Sequence, residues 1–255
     1  MSYVMAIVAL SLTNCGSLLL LWWYRRSLLK KYANLQTQYQ QELQRFLQRL
    51  DHELKNPLTA IRFALVNLAV PETEVREKAR TTIDTQTHRM SELITELRKL
   101  AELEYVSIEH IPVSIDALIN EAVMLTEADP QRIRLEIEPE CEVKGDKYLL
   151  LLAIYNLLDN ALKFTQAGSE VNVQAYDSGA GTTIIVADNG PGIDAADLEH
   201  VWKELYRGRG VQHIEGSGLG LSMVKAIIER HGGKVGLEST LGHGVTVTLD
   251  LPYGT

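Results

Sequence analysis

The chain has 255 residues, of which 45% are hydrophobic and 23% charged, an ordinary composition for one large or two modest folded domains. Its formal net charge of -8 argues against a nucleic-acid partner, because binding to phosphate backbones needs clustered lysine and arginine. The two cysteines, Cys15 and Cys141, have no closely spaced His or Cys, which argues against a disulfide framework and against a zinc site.

The N-terminal segment is apolar. Residues 3–24 carry no charge over 22 residues, enough helix to cross a hydrocarbon core of about 30 Å. Arginine and lysine follow this run instead of preceding it, which disfavours a cleaved signal peptide and orients the C-terminal part towards the cytoplasm. The pattern predicts a single-pass transmembrane helix in the cell inner membrane with almost nothing beyond it. A buried soluble helix is the alternative.

Apolar residues then recur along residues 28–54 at steps averaging about 3.7, which predicts one continuous helix. Pro57 removes a backbone donor, so we expect a bend there. After a turn at residues 69–74, apolar positions over residues 75–103 predict a second amphipathic helix. Because a lone antiparallel hairpin buries such stripes incompletely, we expect a homodimer with a four-helix bundle.

One histidine lies on the polar face of the first helix. At about 100° per residue, His52 lies roughly opposite Leu50, whereas Asn56 and Thr59 return to the direction of His52. His52 is therefore shown to solvent and is available for chemistry.

After residue 104 the sequence alternates shorter strand-like and helical segments, which predicts a separate α/β domain with its boundary near residues 107–112. The expected strands are residues 134–137, 171–175, 182–187, 234–238 and 245–251, and the expected helices are residues 115–128, 147–164 and 222–231. The predicted fold is thus α plus α/β: a transmembrane helix (3–24), a stalk and helical hairpin (25–106) and an α/β sandwich domain (107–255).

Polar residues recur at helical spacing in the second of these helices. Asn156, Asn160 and Lys163 share one face, with Asp159 beside them. Two amide oxygens and an ammonium group suit a hydrated Mg²⁺ and the phosphates that it bridges. A solvated polar face has the same pattern.

Two glycine-rich segments follow. Asp188-Asn189-Gly190-Pro191-Gly192 comes directly after a β-branched run, where a carboxylate can accept from an adenine amino group, although such a segment alone is only a turn. Glycines at positions 216, 218 and 220 open into a helix whose free N–H groups suit phosphate. The Rossmann and P-loop patterns do not fit here, so a mobile lid over phosphates is the better interpretation.

Taken in order, residues 43–251 resemble the catalytic core of sensor histidine kinases, with the Bergerat-type ATP-binding domain shared with Hsp90, gyrase and MutL. The resemblance implies that His52 is phosphorylated, that Asn156 and Asn160 serve Mg²⁺, and that Lys163 serves phosphate. It further implies that Asp188 reads adenine. The implied glycine boxes and lid contain Gly190, Gly192, Gly216, Gly218, Leu219 and Gly220.

Some positions depart from the family pattern. Phe164 replaces a common tyrosine, so it cannot offer a hydroxyl to the nucleotide, and Trp202 and Leu205 replace the usual phenylalanines. Arg207 remains available to meet the transferring phosphate.

The expected chemistry is autophosphorylation from ATP with Mg²⁺, followed by transfer to an aspartate of a cytoplasmic response regulator. Neutral His52 attacks the γ-phosphorus while Glu53 orients the ring or takes its proton. Asn56, one turn further, is expected to position water for a phosphatase reaction. The stimulus is expected to arrive within the bilayer or through a membrane protein partner. An Hsp90- or MutL-like conformational ATPase and a non-catalytic membrane scaffold are the alternatives.

Overall fold

The computed structural model describes residues 2–253 except 104, 106, 127, 140, 167, 209, 211–213 and 215, and describes side chains from residue 22 onward. It divides into two compact units, residues 1–51 and 52–255. In the part whose side chains are described, no helix is long and apolar enough to cross a membrane. The predicted span at residues 3–24 lies almost wholly outside that part, as does Cys15.

The hairpin consists of two long helices. Helix α1 (Ser2–Asn67) continues through Pro57, which does not end it, and α2 (Thr73–Leu103) follows a short turn. Within the second unit the hairpin buries small and apolar side chains such as Ala64, Ala79 and Leu93. It leaves Phe63 70% exposed and Val66 69% exposed, so an apolar face stays uncovered, as the sequence pattern predicts.

The rest of the second unit is an α/β domain. Its elements are β1 (Ile111–Ser114), α3 (Ile115–Leu125), β2 (Ile133–Ile137), β3 (Glu142–Gly145), α4 (Lys147–Phe164), β4 (Val171–Asp177), β5 (Gly181–Ala187), α5 (Ala195–Leu198), α6 (Gly220–Arg230), β6 (Lys234–Ser239) and β7 (Val245–Pro252). All five predicted strands form one sheet in the order β2-β4-β5-β7-β6. Among the strands that the structure describes, β2 and β4 pair in parallel and the other neighbours in this sheet pair antiparallel. Strands β1 and β3 make a separate antiparallel ribbon that the sequence pattern missed.

The core lies between the sheet and helices α3, α4 and α6. Strand β4 buries every second side chain over Val171, Val173 and Ala175, because one face of the sheet packs on these helices. From α4 and α6, Leu158 and Ile227 are completely buried against it. The result is a two-layer α/β sandwich that holds α4 and α6 side by side.

A buried histidine ties these two helices together. The amide of Asp146, the N-cap residue of α4, donates to Nε2 of His231 at 3.0 Å. Nδ1 of His231 lies 2.8 Å from the carbonyl oxygen of Ile227 in α6. Because Nε2 accepts and Nδ1 donates, the ring is neutral in this arrangement. Burial lowers the pKa of His231 from its ordinary value.

This lowered pKa predicts a loss of stability in mild acid. The unfolded chain binds the proton more readily, so the contribution of His231 is complete above about pH 6.5 and is lost as the pH falls towards the folded-state value. We expect His231→Gln to cost about 1–2 kcal/mol at pH 7 and to flatten the dependence of the unfolding free energy on pH between 7 and 5. Urea unfolding followed by circular dichroism measures both. The exposed His243→Gln variant is the matched control; equal pH slopes in wild type and His231→Gln would contradict this role.

Candidate active site

A cavity of about 420 Å³ opens between α4, the turn after β5 and the segment that leads into α6. Most of the residues predicted to bind a nucleotide line it, together with Arg207: Asn156, Asn160, Lys163, Phe164, Asp188, Gly192, Gly216, Gly218 and Gly220. Gly190 and Leu219 do not line it. His52, Glu53 and Asn56 do not line the cavity.

The two asparagines of α4 face the N-terminus of α6. The side-chain N–H of Asn156 donates a hydrogen bond to the carbonyl oxygen of Leu152 at 2.8 Å. If residue 220 had a Cβ, the amide oxygen of Asn156 would lie 3.3 Å from it. The Asn160 amide nitrogen would lie 3.2 Å from the same point. Among the residues described, no three His, Cys, Asp or Glu side chains cluster to hold a metal. The amide oxygens fit Mg²⁺, which keeps several waters and takes few protein ligands.

Lys163 supplies positive charge to the cavity. Its ammonium group donates to the carboxylate of Asp159 at 2.6 Å, one turn earlier on α4. Burial lowers the pKa of Lys163, but the hydrogen bond and charge of Asp159, with Tyr155 and Glu96, more than offset this and raise it. Lys163 is therefore cationic at neutral pH, as a phosphate-binding group must be.

Asp188 is held at the cavity by a tightly packed turn. Burial raises the pKa of its carboxyl, although the amide of Gly190, 2.8 Å away, and that of Val245 oppose the shift. A Cβ at Gly190 would lie 2.8 Å from the Phe164 carbonyl oxygen. Gly192 has φ of +69°, and a Cβ there would meet the Thr240 carbonyl at 2.2 Å. The carboxylate is thus fixed and half-buried, which suits an exocyclic amine donor.

The segment before α6 bends sharply onto the domain. Gly218 has φ of +76°, and its Cβ would lie 2.8 Å from the Tyr206 carbonyl. Leu219 is completely buried and occupies the N-cap position of α6 without a side-chain cap hydrogen bond. Among the described residues, no side chain caps the first N–H groups of α6, which suits them to an anion.

On the hairpin, His52 and Asn56 are exposed to solvent. The neighbouring Glu53 accepts a hydrogen bond from Arg89 of α2 at 3.4 Å. Burial lowers the pKa of Arg207, and the negative charge of Glu53 opposes that shift. The carboxylate of Glu53 on the hairpin therefore attracts the guanidinium group of Arg207 on the α/β domain. Arg207 also donates to the carbonyl of Ile214.

The sequence pattern missed two hairpin residues. Arg89 pairs with Glu53, and Glu96 lines the cavity and accepts a hydrogen bond from Ser217. Glu96 and Ser217 lie 121 positions apart in the chain. No local pattern at either position signals the contact.

Most of the chain is similar to known proteins. Residues 42–105 match the family model of the His Kinase A (phospho-acceptor) domain, and residues 145–255 match that of the histidine kinase-, DNA gyrase B- and HSP90-like ATPases. The sensor-like histidine kinase SenX3 of Mycobacterium tuberculosis is 31% identical over 220 residues, covering 81% of this chain and 53% of SenX3. The chain spans about half the length of this relative. It belongs to the two-component sensor histidine kinases.

Two solved structures are also similar. Full-length ShkA in complex with AMPPNP is 25% identical with a TM-score of 0.57, covering 81% of this chain and 45% of that one. ThkA in complex with the response regulator protein TrrA is 24% identical with a TM-score of 0.65, covering 80% and 60%. The latter likeness shows a shared fold.

The site geometry predicts that Asp188→Asn weakens nucleotide binding at least tenfold, because the amide loses the charge-assisted hydrogen bond to an exocyclic amine. Calorimetric titration of the full chain with AMPPNP measures this affinity. Asp177→Asn, an exposed carboxylate that does not line the cavity, is the matched control. Unchanged affinity in a folded Asp188→Asn variant would remove Asp188 from the site.

Proposed function

We propose that this chain is an ATP-dependent protein-histidine kinase that phosphorylates His52 and passes the phosphoryl group to an aspartate of a response regulator. The observation that carries the proposal is the pairing of an asparagine- and glycine-lined cavity with an exposed histidine in one chain. Arg207 connects the two, since it lines the cavity and interacts with the carboxylate next to His52.

In the proposed reaction, an imidazole nitrogen of His52 attacks the γ-phosphorus of ATP. The N–P bond forms, the bond from phosphorus to the bridging oxygen breaks, and ADP leaves. Glu53 orients the ring or accepts its proton, and Arg207 stabilises the negative charge on the phosphoryl group as it is transferred. Since His52 does not line the cavity, the hairpin and the ATP-binding domain must rearrange, or a second protomer must present its histidine.

The residues at the cavity fit both the nucleotide and its metal ion. Asp188 would accept from adenine, and Lys163 and the first turn of α6 would receive phosphates. Asn156 and Asn160 would hold Mg²⁺, which offsets phosphate charge when bound. Phe164 contributes apolar surface only.

The proposed partner in transfer is a response regulator, supported by the fold shared with ThkA, which was solved with such a protein. Asn56 is proposed to orient water against the regulator's phosphoaspartate. Asn56→Ala should keep autophosphorylation and lose dephosphorylation; a variant that still dephosphorylates the regulator would refute this role.

A second copy of this chain is the proposed partner of the hairpin. The uncovered apolar face on α1, including Phe63 and Val66, supports a four-helix bundle between two protomers. Sedimentation equilibrium of the full chain should give twice the monomer mass, and a monomer at micromolar concentration would contradict the dimer.

We further propose that residues 3–24 form a single inner-membrane span, with the catalytic part in the cytoplasm and the stimulus received within the bilayer or from a membrane protein. The uncharged run and the basic residues after it support this. Recovery of the full chain in the soluble fraction after carbonate extraction of membranes would contradict it.

The decisive test is the chemistry of the label transferred from γ-labelled ATP. We expect an acid-labile, alkali-stable phosphoryl group that is absent in His52→Ala, because phosphohistidine is the proposed product. The exposed His88→Ala, on the second helix, is the matched control. Label retained in His52→Ala would refute the assignment, whereas ATP hydrolysis without any protein label would favour a conformational ATPase. Nucleotide binding with neither reaction would favour a scaffold.

Glu53→Gln separates proton transfer from binding. We expect autophosphorylation to slow by about 10²-fold or more, while calorimetric affinity for AMPPNP stays the same because Glu53 lies outside the cavity. Glu92→Gln, on the exposed face of α2, is the control. An unchanged labelling rate would exclude Glu53 from the reaction.

A further inference from the structure

A carboxylate from the hairpin reaches the cavity expected to hold nucleotide phosphates. Glu96 lies on α2, far from the glycine-rich segment in sequence, and lines the cavity beside the α4 residues. Its side chain accepts a hydrogen bond from the hydroxyl of Ser217, which lies between Gly216 and Gly218.

While Ser217 bonds to Glu96, its hydroxyl cannot donate to another acceptor. Its hydroxyl oxygen accepts from the amide of Leu219 at 3.1 Å, while its single proton goes to Glu96. A hydroxyl has only one proton to donate. Glu96 and a phosphate oxygen therefore cannot both receive the Ser217 hydrogen bond.

Glu96 and a phosphate group would also both be attracted to Lys163. Both groups line the cavity, and beside the larger effect of burial the charge of Lys163 lowers the pKa of the Glu96 carboxyl while the charge of Glu96 raises the pKa of Lys163, so the two charges attract each other. Burial is the largest influence on Glu96 and raises its pKa overall, since the carboxylate loses water in this position. A half-buried carboxyl group thus lines a cavity whose other features suit an anionic ligand.

We propose that Glu96 is an internal competitor for the phosphate end of the nucleotide, holding Ser217 and attracting Lys163 until a nucleoside polyphosphate displaces it. This inference rests on the proposed function. Displacement would free the segment before α6 from α2, so that nucleotide binding and docking of the hairpin oppose each other. Because coupling of this kind is reciprocal, a hairpin that cannot make the contact should bind nucleotide more tightly.

The test is calorimetric titration of the full chain with AMPPNP and with ADP in the presence of Mg²⁺. We expect Glu96→Gln to tighten AMPPNP binding three- to tenfold and ADP binding less, because repulsion by the carboxylate grows with phosphate charge. In a Ser217→Ala background the same change should have a smaller effect, since the two residues share one contact. Glu102→Gln is the matched control, because Glu102 lies on the same helix, pairs with Arg98 and does not line the cavity.

A second measurement reports the docking itself. Hydrogen exchange in the part of α2 around Glu96 should accelerate when AMPPNP binds wild type, and should already be fast in Glu96→Ala, because a glutamine at position 96 could still accept the Ser217 hydrogen bond. Equal affinities in wild type and Glu96→Gln would overturn the inference alone. Weaker AMPPNP binding in Glu96→Gln would also overturn it, by making Glu96 a group that holds the nucleotide. Absence of binding by every variant would overturn the proposed function together with the inference.

Discussion

The close approach of α6 to α4 is the constraint on which the site depends. A Cβ at Gly220 would lie 3.2 Å from the Asn160 amide nitrogen and 3.3 Å from the Asn156 amide oxygen, so a larger residue there would push these side chains away from the first turn of α6. At the other end of α6, His231 bonds to the N-cap residue of α4. Contacts at both ends of α6 therefore fix its position against α4. This position determines where the asparagine amide oxygens and the N–H groups of α6 face the cavity.

Charge in the cavity is balanced between two sources. The ATP-binding domain contributes Lys163 and Arg207, and the hairpin contributes carboxylates that interact with each: Glu96 with Lys163 and Glu53 with Arg207. The cationic groups expected to meet phosphate therefore already have acidic neighbours on the hairpin. In the proposed competition, ligand phosphates and Glu96 need the same donors, which gives the arrangement a physical reason to change on nucleotide binding.

Local patterns predict the long elements and the contiguous motifs, but not the short elements or the distant contacts. The periodicity of residues 147–164 predicts α4 with both its ends, whereas α6 begins at Gly220, two residues earlier than its apolar pattern indicates. Strands β1 and β3 have four residues each, and Pro112 interrupts the first, so neither shows a readable alternation. The Glu96–Ser217 bond depends on how α2 packs beside α6, which no window of sequence contains.

The two hairpin carboxylates differ in what restrains them. Glu53 is held by Arg89 from the same hairpin, so this contact does not require the ATP-binding domain. Glu96 is held by Ser217 of that domain, so its contact must break when the domain moves away from α2. A rearrangement that brings the cavity to His52 therefore keeps Glu53 oriented beside the histidine while it removes Glu96 from the phosphate end. In the proposed reaction, the same motion would present His52 to the nucleotide and clear Glu96 from the cavity.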